Sequence, residues 1–142
     1  GAKVGAPDTT VWAIDGDGCF QMTNQELVTC ALNNIPIKVA VINNESLGMV
    51  RQWQDMNYSS RYSQSLYEDS LPDFVALAEA YGHVGIKVTR YEDLEEKMRE
   101  CFAHKDRVVF MDICVDKSEH VYPMQIPGGS MGDLYLNKAE KS

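Results

Sequence analysis

Two short polar segments, each closing an apolar run, carry the side chains with the most chemical potential. Val11 to Ile14 leads into Gly16-Asp17-Gly18, and Ile37 to Ile42 leads into Asn43-Asn44. One segment supplies a carboxylate and the other a carboxamide, spaced by about one strand-helix-strand unit of ~30 residues. Ligands of open parallel sheets bind beyond the carboxyl ends of the strands. If the two strands are neighbours, Asp17 and Asn44 can face one small cation. Both are hard oxygen ligands. They suit Mg²⁺, which keeps few protein ligands and completes its octahedron with phosphate oxygens and water. The competing reading is a tight strand-to-helix turn with an exposed Asp, and an ordinary polar turn at Asn43-Asn44. Either segment alone reads that way; their pairing at two strand ends favours the site.

The elements that would position these residues follow from periodicity. Residues 2–8, AKVGAPD, read as the end of a helix stopped by Gly5 and Pro7. Thr10 to Asp15 is predicted as a buried strand. Thr23 and Glu26 have capping-box spacing; the helix they open buries Leu27, Val28, Ala31 and Leu32, and its positive end could point at the site. Ile37 to Ile42 is apolar apart from Lys38, as in a central parallel strand covered on both faces. A short helix is expected within Glu45 to Met56, with Gly48 allowing close approach. Met49, Val50 and Trp53 have helical spacing, which by itself suggests a small core stripe. Asn57 to Leu71 reads as a long surface loop, either functional or a simple connector. Pro72-Asp73 opens a helix buried through Phe74, Leu77, Ala78 and Tyr81 and stopped by Gly82. A lone His83 beside the next strand reads as structural. Val84 to Val88 is a strand. Thr89 to Glu92 is a second capping box, for a helix from Tyr91 to His104 with Leu94, Met98, Cys101 and Phe102 inward. Arg107 to Val115 is the last strong strand, and residues 116–142 form a tail with at most one helical turn. The alternation predicts a three-layer α/β/α domain with a mostly parallel sheet.

The chain of 142 residues suits a single domain with one core. A net charge of −8 argues against nucleic acid and anionic membranes as partners. No apolar run reaches membrane-spanning length. Cys19, Cys30, Cys101 and Cys114 are scattered without a Cys-x-x-Cys, which fits reduced thiols in a cytoplasmic protein better than zinc or a disulfide framework.

Gly16-Asp17-Gly18 with Asn43-Asn44 resembles the signature of thiamine diphosphate enzymes. LGMVRQWQ from Leu47 to Gln54 is similar to the catalytic large subunit of the acetolactate synthase (acetohydroxyacid synthase) family within them. FQMT at Phe20 to Thr23, YPM at Tyr122 to Met124 and PGG at Pro127 to Gly129 agree. The resemblance implies a truncated thiamine-diphosphate-binding fold over residues 1–142, part of a longer enzyme. It implies thiamine diphosphate and Mg²⁺ as cofactors, with FAD bound mainly outside this chain. Asp17, Asn44 and the Ser46 backbone carbonyl would hold the metal. Gly16, Gly18 and Cys19 would approach the diphosphate, and Leu47, Gly48 and Met49 would contribute to the cofactor site. Where the family often has Ser, this chain has Cys19, a poorer donor. Met49, Val50 and Trp53 would line the substrate channel, Trp53 also where acetolactate synthase herbicides bind. The implied reaction joins two pyruvates, or pyruvate and 2-oxobutyrate, with loss of CO₂, in branched-chain amino acid biosynthesis. No catalytic acid or base falls in this chain. The implied assembly is a homodimer or homotetramer with a small regulatory subunit. Two alternatives remain: another thiamine-diphosphate-dependent decarboxylase or carboligase, and a non-catalytic α/β binding module.

Overall fold

The computed structural model describes residues 1–67 and 70–137. A short helix α1 (Ala2–Gly5) precedes β1 (Trp12–Gly16), α2 (Asp17–Gln21), α3 (Glu26–Leu32), β2 (Lys38–Asn43) and α4 (Gly48–Asn57). After a long connection come α5 (Phe74–Ala80), β3 (Val84–Val88), a 3₁₀ turn (Tyr91–Asp93), α6 (Leu94–Ala103) and β4 (Val109–Cys114). Two-residue strands β5 (Met124–Gln125) and β6 (Leu134–Tyr135) follow. The first four strands form one parallel sheet in the order β1-β2-β4-β3.

Three layers form as the periodicity predicts. On one face of the sheet, Val39, Val41, Val108 and Phe110 pack against Phe20 of α2, Leu27 of α3, and Phe74 and Ala78 of α5. On the other, Ile86, Val88, Val109 and Met111 pack against Cys101 of α6, with Leu94 and Met98 beside it. The rings of Phe20, Phe74 and Phe110 lie 4.8–5.9 Å apart, centroid to centroid. This aromatic trio fixes α2 to the sheet three residues after Asp17 and so anchors the turn that carries it.

Lys38, the one charge in β2, is buried because its ammonium donates to the carbonyls of His104, which caps α6, and Arg107. Cations are stabilised at helix C-termini. β1 is not the buried strand expected: it lies at the sheet edge, where Ala13 and Ile14 are exposed. Ile42 is also partly exposed, so β2 is covered on both faces only up to Val41.

Neither capping box forms. Backbone turns run from α2 into α3, Thr23 N–H donating to Phe20 and Glu26 N–H to Thr23. Gln25, not Thr23, stands at the N-cap, in helical conformation and without a side-chain cap. At the second site Arg90 grips Asp93 with two bonds of 2.8 and 2.6 Å, the 3₁₀ turn comes first, and α6 starts at Leu94. Pro72 precedes the cap of α5, and Asp73 itself accepts from Val75 and Ala76 N–H. Gly82, at φ +82°, does end α5: its N–H donates to Glu79 and that of His83 to Ala78.

In α3 only Leu27 is buried, with Cys30 beside it; Val28, Ala31 and Leu32 face outward, since seven residues present only one narrow stripe to the sheet. In α6 Phe102 is half exposed and stacks edge-on against Trp12 at 5.7 Å. His83 Nε2 lies 2.9 Å from the Leu27 carbonyl, a structural role. The tail contains no helical turn within its described residues; β5 and β6 pair antiparallel instead. The expected loop and tail include residues 68–69 and 138–142, which lie outside the described residues.

The contact between α5 and β3 is as tight as backbone allows. A Cβ on Gly85 would stand 2.7 Å from Val75 Cγ1 and 2.9 Å from the Val75 carbonyl oxygen, whereas one on Gly5 would meet nothing within 4 Å. Gly85→Ala is expected to destabilise the protein by about 1–3 kcal/mol through overpacking, and Gly5→Ala is expected to cost nothing. Urea midpoints of the two variants check this, and an unshifted midpoint for Gly85→Ala would contradict the packing.

Candidate functional site

Strands β1 and β2 are parallel neighbours, with Gly16 opposite Ile42. The chain leaves both at the same edge of the sheet, which brings Asp17 to the Asn43–Ser46 turn. Asp17 is 2% exposed. Its Oδ1 accepts the Gly18 N–H at 2.7 Å, and its Oδ2 is buried without a hydrogen-bond partner. Burial pushes its carboxyl above the usual Asp range; the backbone N–H groups of Gly18, Glu45, Ser46 and Asn44 oppose this without cancelling it. A second buried oxygen, Ser46 Oγ, also lacks a partner. Such orphans are costly unless something outside the protein satisfies them.

Asn44 and Asn43 divide their work. Asn43 is turned into the protein, its Nδ2 donating to Asp112 Oδ1 at 2.9 Å and its Oδ1 accepting from Glu45 N–H at 3.1 Å. Asn44 Oδ1 accepts the Ser46 N–H at 3.2 Å, and Asn44 lines a cavity of about 350 Å³. Gly16, Asp17, Gly18 and Cys19 form one wall of that cavity; Ser46, Leu47, Gly48, Met49 and Val50 form the other. All nine cofactor-site positions singled out in the sequence therefore converge on one opening. Among the described residues no three His, Cys, Asp or Glu side chains gather as a metal site. A cation in this cavity would need carboxamide and backbone oxygens besides Asp17, a hard donor set that fits Mg²⁺ better than a soft metal.

The helix aimed at this cavity is α4 rather than α3. Its first turn supplies Gly48, Met49 and Val50, whose N–H groups have no partner within the helix. A Cβ on Gly48 would lie 3.0 Å from Asn44 Nδ2 and press on that amide. Gly18 is required: the Tyr67 hydroxyl occupies the space its Cβ would take. Tyr67 comes from the long connection after α4, which is more than a surface loop. Ser65 is buried, Ser46 pairs with Leu66, Leu47 N–H donates to Ser65, and Tyr67 N–H donates to Glu45.

Met49 and Val50 are each 47% exposed and Trp53 is 37% exposed, which excludes the core-stripe reading. The buried face of α4 is polar. Gln52, 1% exposed, uses both ends of its amide on Val121, donating to its carbonyl at 3.0 Å and accepting its N–H at 2.8 Å. Next to it Asp55 accepts from Tyr62 at 2.5 Å and pairs with His120 at 2.8 Å. Burial works against the Asp55 charge, but hydrogen bonds from Tyr62, His120 and Ser60, with Arg51 nearby, hold its carboxyl down to about 2. These contacts clamp the tail along α4. Met124, Ile126 and Pro127 then face Met49 and Trp53 across a groove of about 360 Å³. Sequence reasoning missed Gln52, Asp55, Tyr67, Asp112 and His120. The one signal for Gln52 was its polar side chain between apolar neighbours on a helix; the others depend on partners far away in the chain.

A further cavity of about 330 Å³ lies at the opposite end of the sheet, among Cys30, Tyr81, His83 and Arg107. No buried polar atom there lacks a partner among the described residues, so it has no unmet chemistry of the kind seen at Asp17.

Residues 1–113 match the family described as "Thiamine pyrophosphate enzyme, C-terminal TPP binding domain". The chain is 52% identical over 141 residues to the acetolactate synthase large subunit of Haemophilus influenzae, covering 99% of this chain and 24% of that protein. It is 52% identical over 144 residues to the acetolactate synthase isozyme 3 large subunit of Escherichia coli, covering 100% and 25%. It is 51% identical over 137 residues to an acetolactate synthase of Mycobacterium bovis, covering 94% and 22%. The chain thus spans about a quarter of the length of these curated relatives. With the family model matched over residues 1–113, the chain belongs to the thiamine pyrophosphate enzymes, as part of their C-terminal TPP-binding domain.

Proposed function

We propose that the complete protein is an acetolactate synthase large subunit and that this segment grips the diphosphate end of thiamine diphosphate through Mg²⁺. The observation that carries the reading is the buried Asp17 carboxylate with one oxygen left unpartnered beside Asn44 and Ser46. Asp17, Asn44 and the Ser46 carbonyl would hold the cation, with two phosphate oxygens and water completing its shell. Gly16, Gly18, Cys19 and the first turn of α4 would receive the phosphates; the α4 amides would act as donors there, since the Gly18 N–H is taken by Asp17. The Cys19 thiol is exposed and a weak donor, so its backbone N–H would do more than its side chain. When bound, thiamine diphosphate supplies the nucleophilic carbon and electron sink for decarboxylating a 2-keto acid.

The residues of this segment bind and orient. Asp17 would neutralise cation charge; the Gly18 N–H holds its Oδ1, and Oδ2 has no partner among the described residues. Met49, Val50 and Trp53 would wall the route for pyruvate and a second acceptor, pyruvate or 2-oxobutyrate, with the tail closing the far side. FAD, a homodimeric or homotetrameric assembly, a small regulatory subunit and a cytoplasmic location complete the proposal. They rest on the likeness to acetolactate synthases, not on residues of this segment. No helix among the described residues is long and apolar enough to cross a membrane.

Asp17→Asn in the complete protein is expected to abolish the stabilisation that thiamine diphosphate and Mg²⁺ confer. Metal-free stability should hold or rise, because the variant removes a charge that burial disfavours. Asn44→Ala should weaken binding less, since it removes a neutral ligand. Thermal melts with and without both ligands test this; a full ligand-dependent gain in Asp17→Asn would refute the metal assignment.

Trp53→Leu is expected to keep the fold, since Trp53 is over one third exposed. It should change the ratio of the two acetohydroxy acid products, by ~1–3 kcal/mol at most for a contact worth about one methylene, and weaken inhibition by acetolactate synthase herbicides. Competition between pyruvate and 2-oxobutyrate measures the ratio, and an unaltered ratio with unaltered inhibition would remove Trp53 from the channel.

The 142-residue chain on its own is expected to produce no acetolactate. Among the described residues no carboxylate or imidazole other than Asp17 lines the cavity, and general acid-base catalysis alone is worth ~10²–10⁴-fold. Incubating the purified chain with pyruvate, thiamine diphosphate and Mg²⁺ tests this; acetolactate above a protein-free control would show that a catalytic group lies in this segment.

A further inference from the structure

Asp112 is a charged residue in the middle of the sheet, 1% exposed, on the strand between β2 and β3. It does not line the metal cavity. Its Oδ1 accepts from Asn43 Nδ2 at 2.9 Å, and its Oδ2 lies 3.4 Å from the ammonium of Lys87, its register partner on β3. An apolar side chain of similar volume could pack here without the cost of burying a charge. What an ionised carboxylate adds is direction, because it can only accept hydrogen bonds. The two ends of an amide have nearly the same shape. Facing a group that only accepts, Asn43 must present its NH₂, and its carbonyl then points at the Glu45 N–H, 3.1 Å away.

That bond closes on a residue in an uncommon conformation. Glu45 has φ +55°, a left-handed geometry that a non-glycine residue keeps only when its surroundings enforce it. Tyr67 N–H holds the Glu45 carbonyl, and Val115 N–H holds that of Asn43. Asn44 and Ser46 stand on either side of Glu45 and both line the cavity, so the angle at Glu45 sets how the two are turned relative to each other.

We infer that Asp112 is a positioning residue for the metal turn: by fixing which way the Asn43 amide faces, it locks Glu45 in its left-handed conformation and aims Asn44 and the Ser46 carbonyl at one cation. The inference rests on the proposed Mg²⁺–diphosphate reading of the cavity. It makes a demand that fold stability alone does not. Mg²⁺ requires near-ideal octahedral placement, whereas Ca²⁺ tolerates irregular, flexible shells. A loosened turn should therefore lose Mg²⁺ selectively.

The test uses the complete protein with saturating thiamine diphosphate. Dissociation constants for Mg²⁺ and for Ca²⁺ are read from tryptophan fluorescence, well below the melting temperature. Asp112→Asn keeps the volume but can donate as well as accept, so it no longer orients Asn43; Asp112→Leu removes the polar contact. Each should weaken Mg²⁺ about 10–100-fold, the range for partners that orient metal ligands, and Ca²⁺ distinctly less, so that the preference for Mg²⁺ falls. Lys87→Met, which leaves the Asp112–Asn43 bond in place, should lower stability without changing that preference. If Asp112→Leu does not fold, Asn43→Ala makes the same comparison from the other end of the bond. Unchanged dissociation constants in Asp112→Asn, or equal weakening of both metals with a lower melting temperature, would overturn the positioning role. A wild-type protein whose Mg²⁺ affinity is indifferent to Asp17→Ala would overturn the underlying reading instead.

Discussion

A carboxylate withdrawn from water needs compensating charge, hydrogen bonds or a proton. Asp17 sits at that choice. It is buried at the end of β1, one oxygen is held by Gly18, and the other has no partner among the described residues. Much of the surrounding structure serves to keep it there. The Phe20-Phe74-Phe110 trio fixes α2 onto the sheet, so the turn cannot swing the carboxylate out to solvent. The Tyr67 hydroxyl lies over Gly18 and closes that side. The backbone N–H groups of Asn44, Glu45 and Ser46 nearby favour the same charge. These supports lower the cost of the charge without removing it, and a bound cation would supply the remainder.

Helix α4 joins this polar end to an apolar groove. Its first turn belongs to the cavity, its outer face carries Met49, Val50 and Trp53, and its inner face is clamped to the tail through Gln52 and Asp55. The inner contacts are polar because they must hold an irregular chain segment. The tail between β4 and β5 has no sheet to satisfy its backbone, so side-chain amides and carboxylates take that part. The outer residues stay exposed because nothing in this segment covers them. One helix therefore fixes the distance between the place for a cation and the groove beside Trp53.

The sequence by itself determined the layer order and the strand ends. Apolar runs ended by glycine and asparagine mark the parallel strands, and β1, β2, β3 and β4 lie within two residues of their expected bounds. It also determined which residues ring the cavity. A parallel sheet sends every strand end to the same edge, so Gly16 to Cys19 and Asn44 to Met49 meet once β1 and β2 are neighbours. The stop at Gly82 was legible for a similarly local reason, because glycine reaches φ +82° without steric penalty. Helix starts were less legible. Thr23 and Thr89 have capping spacing, but backbone turns and the Arg90–Asp93 pair settled those junctions first.

Only the tertiary structure decided the rest. Exposure separated Trp53 from a core role, and periodicity cannot do this, because a helix face turned to the core and one turned to a groove have the same spacing. It showed what occupies the other asparagine: the Asn43 amide is spent on Asp112 and Glu45, while Asn44 lines the cavity. It joined residues of remote position into single devices: Gln52 with Val121, Asp55 with His120, Tyr67 with Gly18, and Asp112 with Asn43. A hydrogen bond across dozens of residues leaves no periodic trace in either partner. It exists because the sheet and the loops bring the two together, and only the folded chain fixes that meeting.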